Sequence, residues 1–336
     1  MGRRIKLMDL TLRDGMHAVG HQFTPETMAF LAEKIDTVGV DYIEFGHGNG
    51  LGGSSLQYGL GAGTDLEYIE AVTKVVKNTE LSVITIPGIG TRFELQMAYD
   101  HGIRVARFAT QMSECDIAKQ HIQLAKKIGL SPWSTLPHAK CLSIEDTVKY
   151  AQMVESYGAE VVYLLDGGGS MLPEEVYERV EAIKKNVDIP VGLHLHNNLQ
   201  LAVANTLAGV DAGAEYVDCC LKGFGAGAGN CPVEPLAVAL EKKGYETGIN
   251  LYHAMDVGDE YLKPLMARPM ELASDQIMLG YAGTYSSFLL FARRAAERYG
   301  VDPRDVILEI GRRGCTEGQE QICIEVAYEL AQQKQK

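Results

Sequence analysis

The chain has 336 residues, 46% of them hydrophobic. That suffices to bury one large core with a small second unit, or two ordinary cores, and excludes disordered and fibrous classes. Its 31 Lys and Arg stand against 44 Asp and Glu, a formal net charge of −13, which argues against nucleic acid or an anionic membrane as a partner. The basic start at Arg3-Arg4 passes straight into Ile5–Leu12, which holds Lys6 and Asp9. This lacks the apolar core of a signal peptide, and no run is long enough to span a bilayer, so a cytoplasmic protein is expected. Seven cysteines, an odd number without a C-x-x-C spacing, point away from disulfides and from a thiolate zinc site.

In chain order, eight short β-rich apolar runs alternate with amphipathic helical windows. The predicted strands are Ile5–Leu12, Tyr42–Gly46, Leu81–Ile86, Val105–Thr110, Pro132–Pro137, Val161–Asp166, Pro190–His196 and Tyr216–Leu221. Between them lie helical windows such as Pro25–Val38, Asp65–Val76, Ile117–Ile128, Ile144–Tyr157 and Pro173–Asn186, with start signals at Thr24, Ser143 and Pro173. Such alternation over about 250 residues predicts an α/β fold, a (β/α)8 TIM barrel. An open doubly wound sheet would carry a Gly-rich dinucleotide turn after its first strand, whereas that turn reads Arg13-Asp14-Gly15-Met16-His17. From Asp256 the alternation stops, and Ser287–Tyr299, Pro303–Gly311 and Gln319–Gln332 read as helix. The expected division is a catalytic barrel over residues 1–255 and a small C-terminal helical domain over 256–336.

Residues two apart on a strand share a face, so His194-Leu195-His196 turns two imidazoles into the barrel mouth. Neutral imidazoles side by side invite a metal ion; the bland alternative is that both merely hydrogen-bond to carbonyls. Asp14 ends the first strand, where barrel catalysts sit, and supplies the carboxylate. An Asp and two His leave coordination positions open, as a catalytic ion needs. The same set also describes a non-haem iron oxygenase. Arg13 and His17 add a carboxylate clamp and a candidate base in the same turn.

Two Gly-rich loops follow strands. Residues 47–64 hold seven glycines, and Gly223–Asn230 reads G-F-G-A-G-A-G-N. The second suits either a phosphate or the close approach of backbone to a small substrate or to the first strand. By composition, Tyr285 in G-Y-A-G-T-Y-S-S-F reads as a packed hinge. Cys219 and Cys220 lack a basic neighbour in sequence and read as interior fillers rather than nucleophiles.

With D-x-T-L-R-D-G at Asp9–Gly15, H-x-H-N at His194–Asn197 and G-A-G-A-G-N at Gly225–Asn230, the chain resembles the pyruvate-forming metal aldolases and acyl-condensing lyases. More narrowly it is similar to the 4-hydroxy-2-oxovalerate aldolases, through H-G-x-G-L-x-G-S-S at 47–55, T-D-L-E-Y-I-E-A-V at 64–72 and P-G-I-G at 87–90. Ala118-Lys119-Gln120-His121-Ile122 and G-Y-A-G-x-Y-S-S-F at 280–288 complete the match. The resemblance implies retro-aldol cleavage of 4-hydroxy-2-oxopentanoate, or a close homologue, to pyruvate and a short aldehyde. It implies a divalent ion on Asp14, His194 and His196, with Mn²⁺ expected and Mg²⁺ or Co²⁺ as alternatives. It also implies Arg13 as enolate stabiliser, His17 as base, Tyr285 assisting, and Ile84 and Ile86 lining the aldehyde pocket. An acylating aldehyde dehydrogenase docked on the helical tail is the implied partner. An acyl-CoA condensing enzyme of the same superfamily is the alternative.

Three positions depart from the family pattern. Gly167 stands where D-S-G-G is expected, which removes a hydroxyl from the substrate-carboxylate site. Asn49 replaces an Asp, and Glu317-Gly318 replaces a Gly-Gly pair beside the expected aldehyde exit.

Overall fold

The computed structural model describes residues 2–136, 139–267, 269–316 and 318–334. Eight strands, β1 (Lys6–Leu12), β2 (Tyr42–Phe45), β3 (Glu80–Thr85), β4 (Val105–Ala109), β5 (Ser131–Leu136), β6 (Val161–Asp166), β7 (Val191–Leu195) and β8 (Tyr216–Cys219), pair in sequence order. All pairings are parallel, and β8 returns to β1 to close the barrel. The ladders stop a residue or two inside several of the sequence windows because the chain turns there. His196, for example, leaves β7 and bridges to Asn230 instead.

Local chemistry sets where the helices begin and end. Thr24 and Ser143 cap their helices by accepting from the amides of Thr27 and Asp146, and Thr64 and Thr91 form reciprocal capping boxes with Glu67 and Glu94. The helices Ala118–Ile128 and Ile144–Tyr157 stop at Gly129 and Gly158, whose φ values of 106° and 102° need a residue without a Cβ.

Strand alternation then sorts the side chains into two populations. Leu7, Ile43, Val83, Phe108 and Leu193 pack outward against helix residues in the main core. Met8, Tyr42, Val105, Trp133 and Tyr163 form a separate apolar plug, the packed floor that a barrel of this kind requires. Two residues further along the strands, the same inward face carries Glu44, Arg107 and His194, all buried.

Beyond the barrel, Leu251–Asp256 runs on into a π-helical turn at Val257–Leu262. Four helices, Ser274–Ala282, Phe288–Tyr299, Pro303–Arg313 and Ile322–Lys334, enclose a second core that includes Leu279, Phe288, Ile307 and Val326. Ser274–Ala282 has no counterpart among the sequence windows of the tail. It buries Gln276 completely while leaving Ile277 42% exposed, which defeats an amphipathic pattern.

The glycine-rich loop after β2 is pinned to β3. Leu51 donates to the Ile84 carbonyl at 2.9 Å, and Gly50, at φ +82°, comes so close that a Cβ would lie 2.2 Å from that same oxygen. Gly50→Ala is therefore expected to cost about 2 kcal/mol or more, read as a lower urea midpoint.

Candidate metal centre and active site

Arg13, Asp14, His17, Ile84, Ile86, Gly167, His194, His196 and Tyr285 all line one cavity of about 580 Å³, together with Asn49. It sits at the C-terminal mouth of the barrel, where the turn after β1 faces the end of β7. Residues separated by some 180 positions in sequence thus meet because strands one and seven both open there.

Among the described residues, Asp14, His194 and His196 form a buried group whose ligand atoms all lie within 4.8 Å of one another. The two Nε2 atoms are 3.2 Å apart, and His194 Nε2 is 3.9 Å from Asp14 Oδ2. His194 Nδ1 lies 2.8 Å from Asp218 Oδ2. That contact keeps the imidazole proton on Nδ1 and leaves the Nε2 lone pair for the cavity, as in carboxylate–histidine–metal arrangements. Burial lowers the His196 pKa to about 4, with Asp14 acting in the opposite direction. Burial alone would raise Asp14, but Arg13 and the imidazoles of His196, His17 and His194 outweigh it and hold the carboxyl well below its usual range. An anionic oxygen and two imidazole nitrogens converging at these distances fit a divalent cation.

The structure adds three residues that the sequence reading missed. Arg13 Nη1 donates to Asp14 Oδ2 at 2.6 Å and its Nε to Glu44 Oε1 at 2.7 Å. Glu44 Oε2 is 3.3 Å from Arg107 Nη1. Arg107 Nη2 donates to Asp218 Oδ2 at 2.8 Å, and its guanidinium also lies 4.3 Å from the centre of the Tyr163 ring. The chain of contacts Asp14–Arg13–Glu44–Arg107–Asp218–His194 therefore alternates in charge across five strands or strand ends and returns to the metal group. A signal was present, since Tyr42-Ile43-Glu44-Phe45, Val105-Ala106-Arg107 and Tyr216-Val217-Asp218 each place one charge on the inward face of an apolar strand, where it needs a partner.

His17 opens a second group of imidazoles. Its ring is 4.9 Å from that of His21, which stacks on His47 at 3.9 Å. Gly48 lies against both His17 and His21, where a Cβ would be 2.7 Å from each ring. Burial lowers His17, with Asp14 partly offsetting it. Burial and neighbouring imidazoles push His21 to about 2 and His47 to about 4. A neutral His17 is in the form a general base requires.

Two features of the mouth explain the glycines. Ala226 donates to Asp14 Oδ1 at 2.8 Å, and a Cβ at Gly225 would sit 2.9 Å from that oxygen. The approach of the second Gly-rich loop's backbone to the end of β1 is therefore present. At Gly167 a Cβ would fall 2.4 Å from the Tyr285 ring. Ser286, next to Tyr285, donates through both its amide and its hydroxyl to the Gly167 carbonyl at 3.0 Å. Tyr285, read from composition as a packed hinge, is buried and borders the catalytic cavity.

A closed parallel barrel bearing a buried Asp-His-His group at its C-terminal mouth defines a metal-dependent barrel enzyme. Residues 4–260 match the HMGL-like family, and residues 270–332 match the DmpG-like communication domain. A curated "4-hydroxy-2-oxovalerate aldolase" from Desulfitobacterium hafniense is 64% identical over 99% of this chain and 100% of its own length. A second of the same name, from Carboxydothermus hydrogenoformans, is 50% identical over 98% of each. Among solved structures, Rhizobium etli pyruvate carboxylase matches 99% of this chain and 36% of its own at 15% identity and a TM-score of 0.84. The HMG-CoA lyase from Brucella melitensis matches 79% of this chain and 100% of its own at 16% identity and a TM-score of 0.69. Those two likenesses concern the fold alone. The chain belongs to the 4-hydroxy-2-oxovalerate aldolase family, within the HMGL-like barrels.

Asp218→Asn keeps the shape but loses the carboxylate that orients His194, so affinity for Mn²⁺ measured by calorimetry is expected to fall about 10- to 100-fold in a folded protein. The histidine group gives a separate expectation. With folded pKa values of about 2 and 4 for His21 and His47, their NMR signals should remain those of neutral rings at pH 5.5, where a free imidazole of pKa about 6.5 is mostly protonated. Both lowered values make the stability these rings contribute complete above about pH 6.5 and progressively lost as the pH falls, towards about 4 for His47 and about 2 for His21. Asp9, raised by burial to about 7, acts in the opposite direction, so ring signals test the assignment more directly than a melting curve.

Proposed function

We propose that the chain cleaves 4-hydroxy-2-oxopentanoate, or a close homologue, to pyruvate and acetaldehyde or another short aldehyde. The observation that carries this reading is the convergence of the Asp14, His194 and His196 group with Arg13, His17 and Tyr285 on one small cavity. The name shared by the full-length relatives selects it over the acyl-CoA condensing and iron oxygenase alternatives.

In the reaction the C3–C4 bond breaks, its electron pair passes into a pyruvate enolate, and the C4 hydroxyl loses a proton. Asp14, His194 and His196 hold the divalent ion, which when bound supplies Lewis-acid charge to the 2-oxo and carboxylate oxygens. Mn²⁺ is the ion we favour. Arg13, kept in place by Asp14 and Glu44, presents fixed positive charge where the enolate oxygen becomes negative. His17 accepts the hydroxyl proton as C4 becomes the aldehyde carbon. Ile84 and Ile86 face the departing alkyl group. Tyr285 packs at Gly167 and assists by covering the substrate.

In this reading residues 1–255 form the catalytic barrel and residues 256–336 dock an acylating aldehyde dehydrogenase, in keeping with the communication-domain match at 270–332. Glu317, beside the expected aldehyde exit, lies outside the described residues. No described helix is long and apolar enough to cross a membrane.

Pyruvate release from 4-hydroxy-2-oxopentanoate tests the reading. Chelation should abolish it and Mn²⁺ restore it, while His17→Ala should lower kcat by about 10²–10⁴ with a modest change in KM. Undiminished turnover by the chelated protein removes the metal role, and a change in KM alone makes His17 a binding group.

A further inference from the structure

The turn after β1 carries two histidines, His17 and His21, and the reaction described above uses only the first. His17 sits on a helix of a single turn, Gly15–Ala18, which has no side-chain cap. One turn of helix is not stable by itself, so the place of the His17 ring is set by what packs on it. The edge of the His21 ring is one such neighbour, with centres 4.9 Å apart and planes at 73°.

His21 is held in place from several sides. Its φ of +64° is one that residues other than glycine seldom adopt, and such backbone persists only where the surroundings fix it. Here its amide donates to the Met16 carbonyl at 2.7 Å and its carbonyl accepts from Ala62 at 3.1 Å. The ring is buried. Its Nδ1 accepts from the Gly48 amide at 3.4 Å, and its other nitrogen donates to the Tyr58 carbonyl. His47, stacked upon it, repeats the pattern one residue along, with the Asn49 amide on Nδ1 at 3.1 Å and the Gly59 carbonyl at 3.0 Å from Nε2. The stacked pair thus joins the two limbs of the loop after β2, and His21 fastens them to the turn that carries His17.

Gly48 connects this clamp to the base. Its amide is held by His21, and its carbonyl accepts from the His17 ring. With one nitrogen engaged by that carbonyl, the other keeps the lone pair that a base needs. His21 itself does not border the catalytic cavity. We propose that His21 is a positioning residue for His17: through Gly48 and the edge of its own ring it fixes the base against the substrate, without meeting ion or substrate itself. The inference rests on the reading of His17 as base and deepens it.

The test follows pyruvate release from 4-hydroxy-2-oxopentanoate by the full chain with Mn²⁺. His21→Gly removes the ring at a φ that glycine accepts. It should lower kcat by about 10- to 100-fold, the loss expected when a reacting group is misplaced by about 1 Å. KM and the affinity for Mn²⁺ should change by less than about 3-fold. His21→Asn tolerates the same φ and keeps an acceptor for the Gly48 amide, so it should regain about 3-fold or more of the lost kcat. In a His17→Ala background His21→Gly should cost nothing further, because a residue that acts through the base has nothing left to act on. An unchanged kcat in His21→Gly, a loss confined to KM, or a loss that multiplies that of His17→Ala overturns the proposal. So does His21→Asn performing no better than His21→Gly, since Gly48 is then not the route. Should His21→Gly fail to fold, the same comparison with His17→Ala is made with His21→Asn, and independent losses overturn the proposal there too. Failure of wild type to release pyruvate overturns the aldolase reading itself, and an unchanged kcat in His17→Ala overturns the role of His17 as base.

Discussion

Two guanidinium groups and three carboxylates share the buried layer between the apolar floor of the barrel and its mouth, and each cation touches two of the anions: Arg13 lies between Asp14 and Glu44, and Arg107 between Glu44 and Asp218. In a medium of low dielectric none of these charges is tolerable alone. Removing one partner typically costs several kcal/mol, although the intact pairs contribute little over a well-packed apolar layer. Their value is geometric. Arg13 cannot turn away without uncovering Asp14 and Glu44, and His194 cannot rotate without leaving Asp218. Arg13 and His194 are therefore fixed through a third residue, Arg107, which is itself completely buried.

Barrel closure is a condition of that arrangement, since the members come from β1, β2, β4, β7 and β8. It also divides the mouth into unlike halves. The side formed by the ends of β1 and β7 is polar and holds the metal group, backed by the Gly225-Ala226 backbone on Asp14. The side formed by β3 and β4 presents Ile84, Ile86 and Ala109. A substrate with a chelating oxo-acid head and an apolar tail has one sensible orientation in such a cavity, and the position of His17 near the metal group follows the same polarity.

Much of this was readable from the sequence, for reasons that are local. Strand alternation put His194 and His196 on one face, and Thr24 and Ser143 announced helices by the chemistry of the cap. Glu44, Arg107 and Asp218 escaped because their meaning lies in partners 24 to 111 residues away, and a single charge in a strand does not say which partner it has. Strand parity would have raised the question, because all three fall on the inward face. The same limit applies to His21 and His47, which become neighbours only when the loop after β2 folds back over the turn after β1. For the glycine-rich loop after β8, composition allowed two uses. The contact of Ala226 with Asp14 is visible only in the folded chain.

Gly167 shows how a departure from the family pattern acquires a physical meaning. The serine expected there from the resemblance would add a hydroxyl to the barrel wall. But the space of the missing Cβ is filled by the ring of Tyr285, 2.4 Å from where that atom would be, and the neighbouring Ser286 grips the Gly167 carbonyl with two donors. Asn198 extends the contact by donating to both Ser286 and the Gly168 carbonyl at 2.9 Å. The helical tail is thus joined to the barrel at the rim of the cavity, through the segment that carries Tyr285. A tail displaced from that rim would carry the ring away with it, so the helical tail and the barrel mouth share one mechanical connection, and the absence of a side chain at Gly167 is what lets it close.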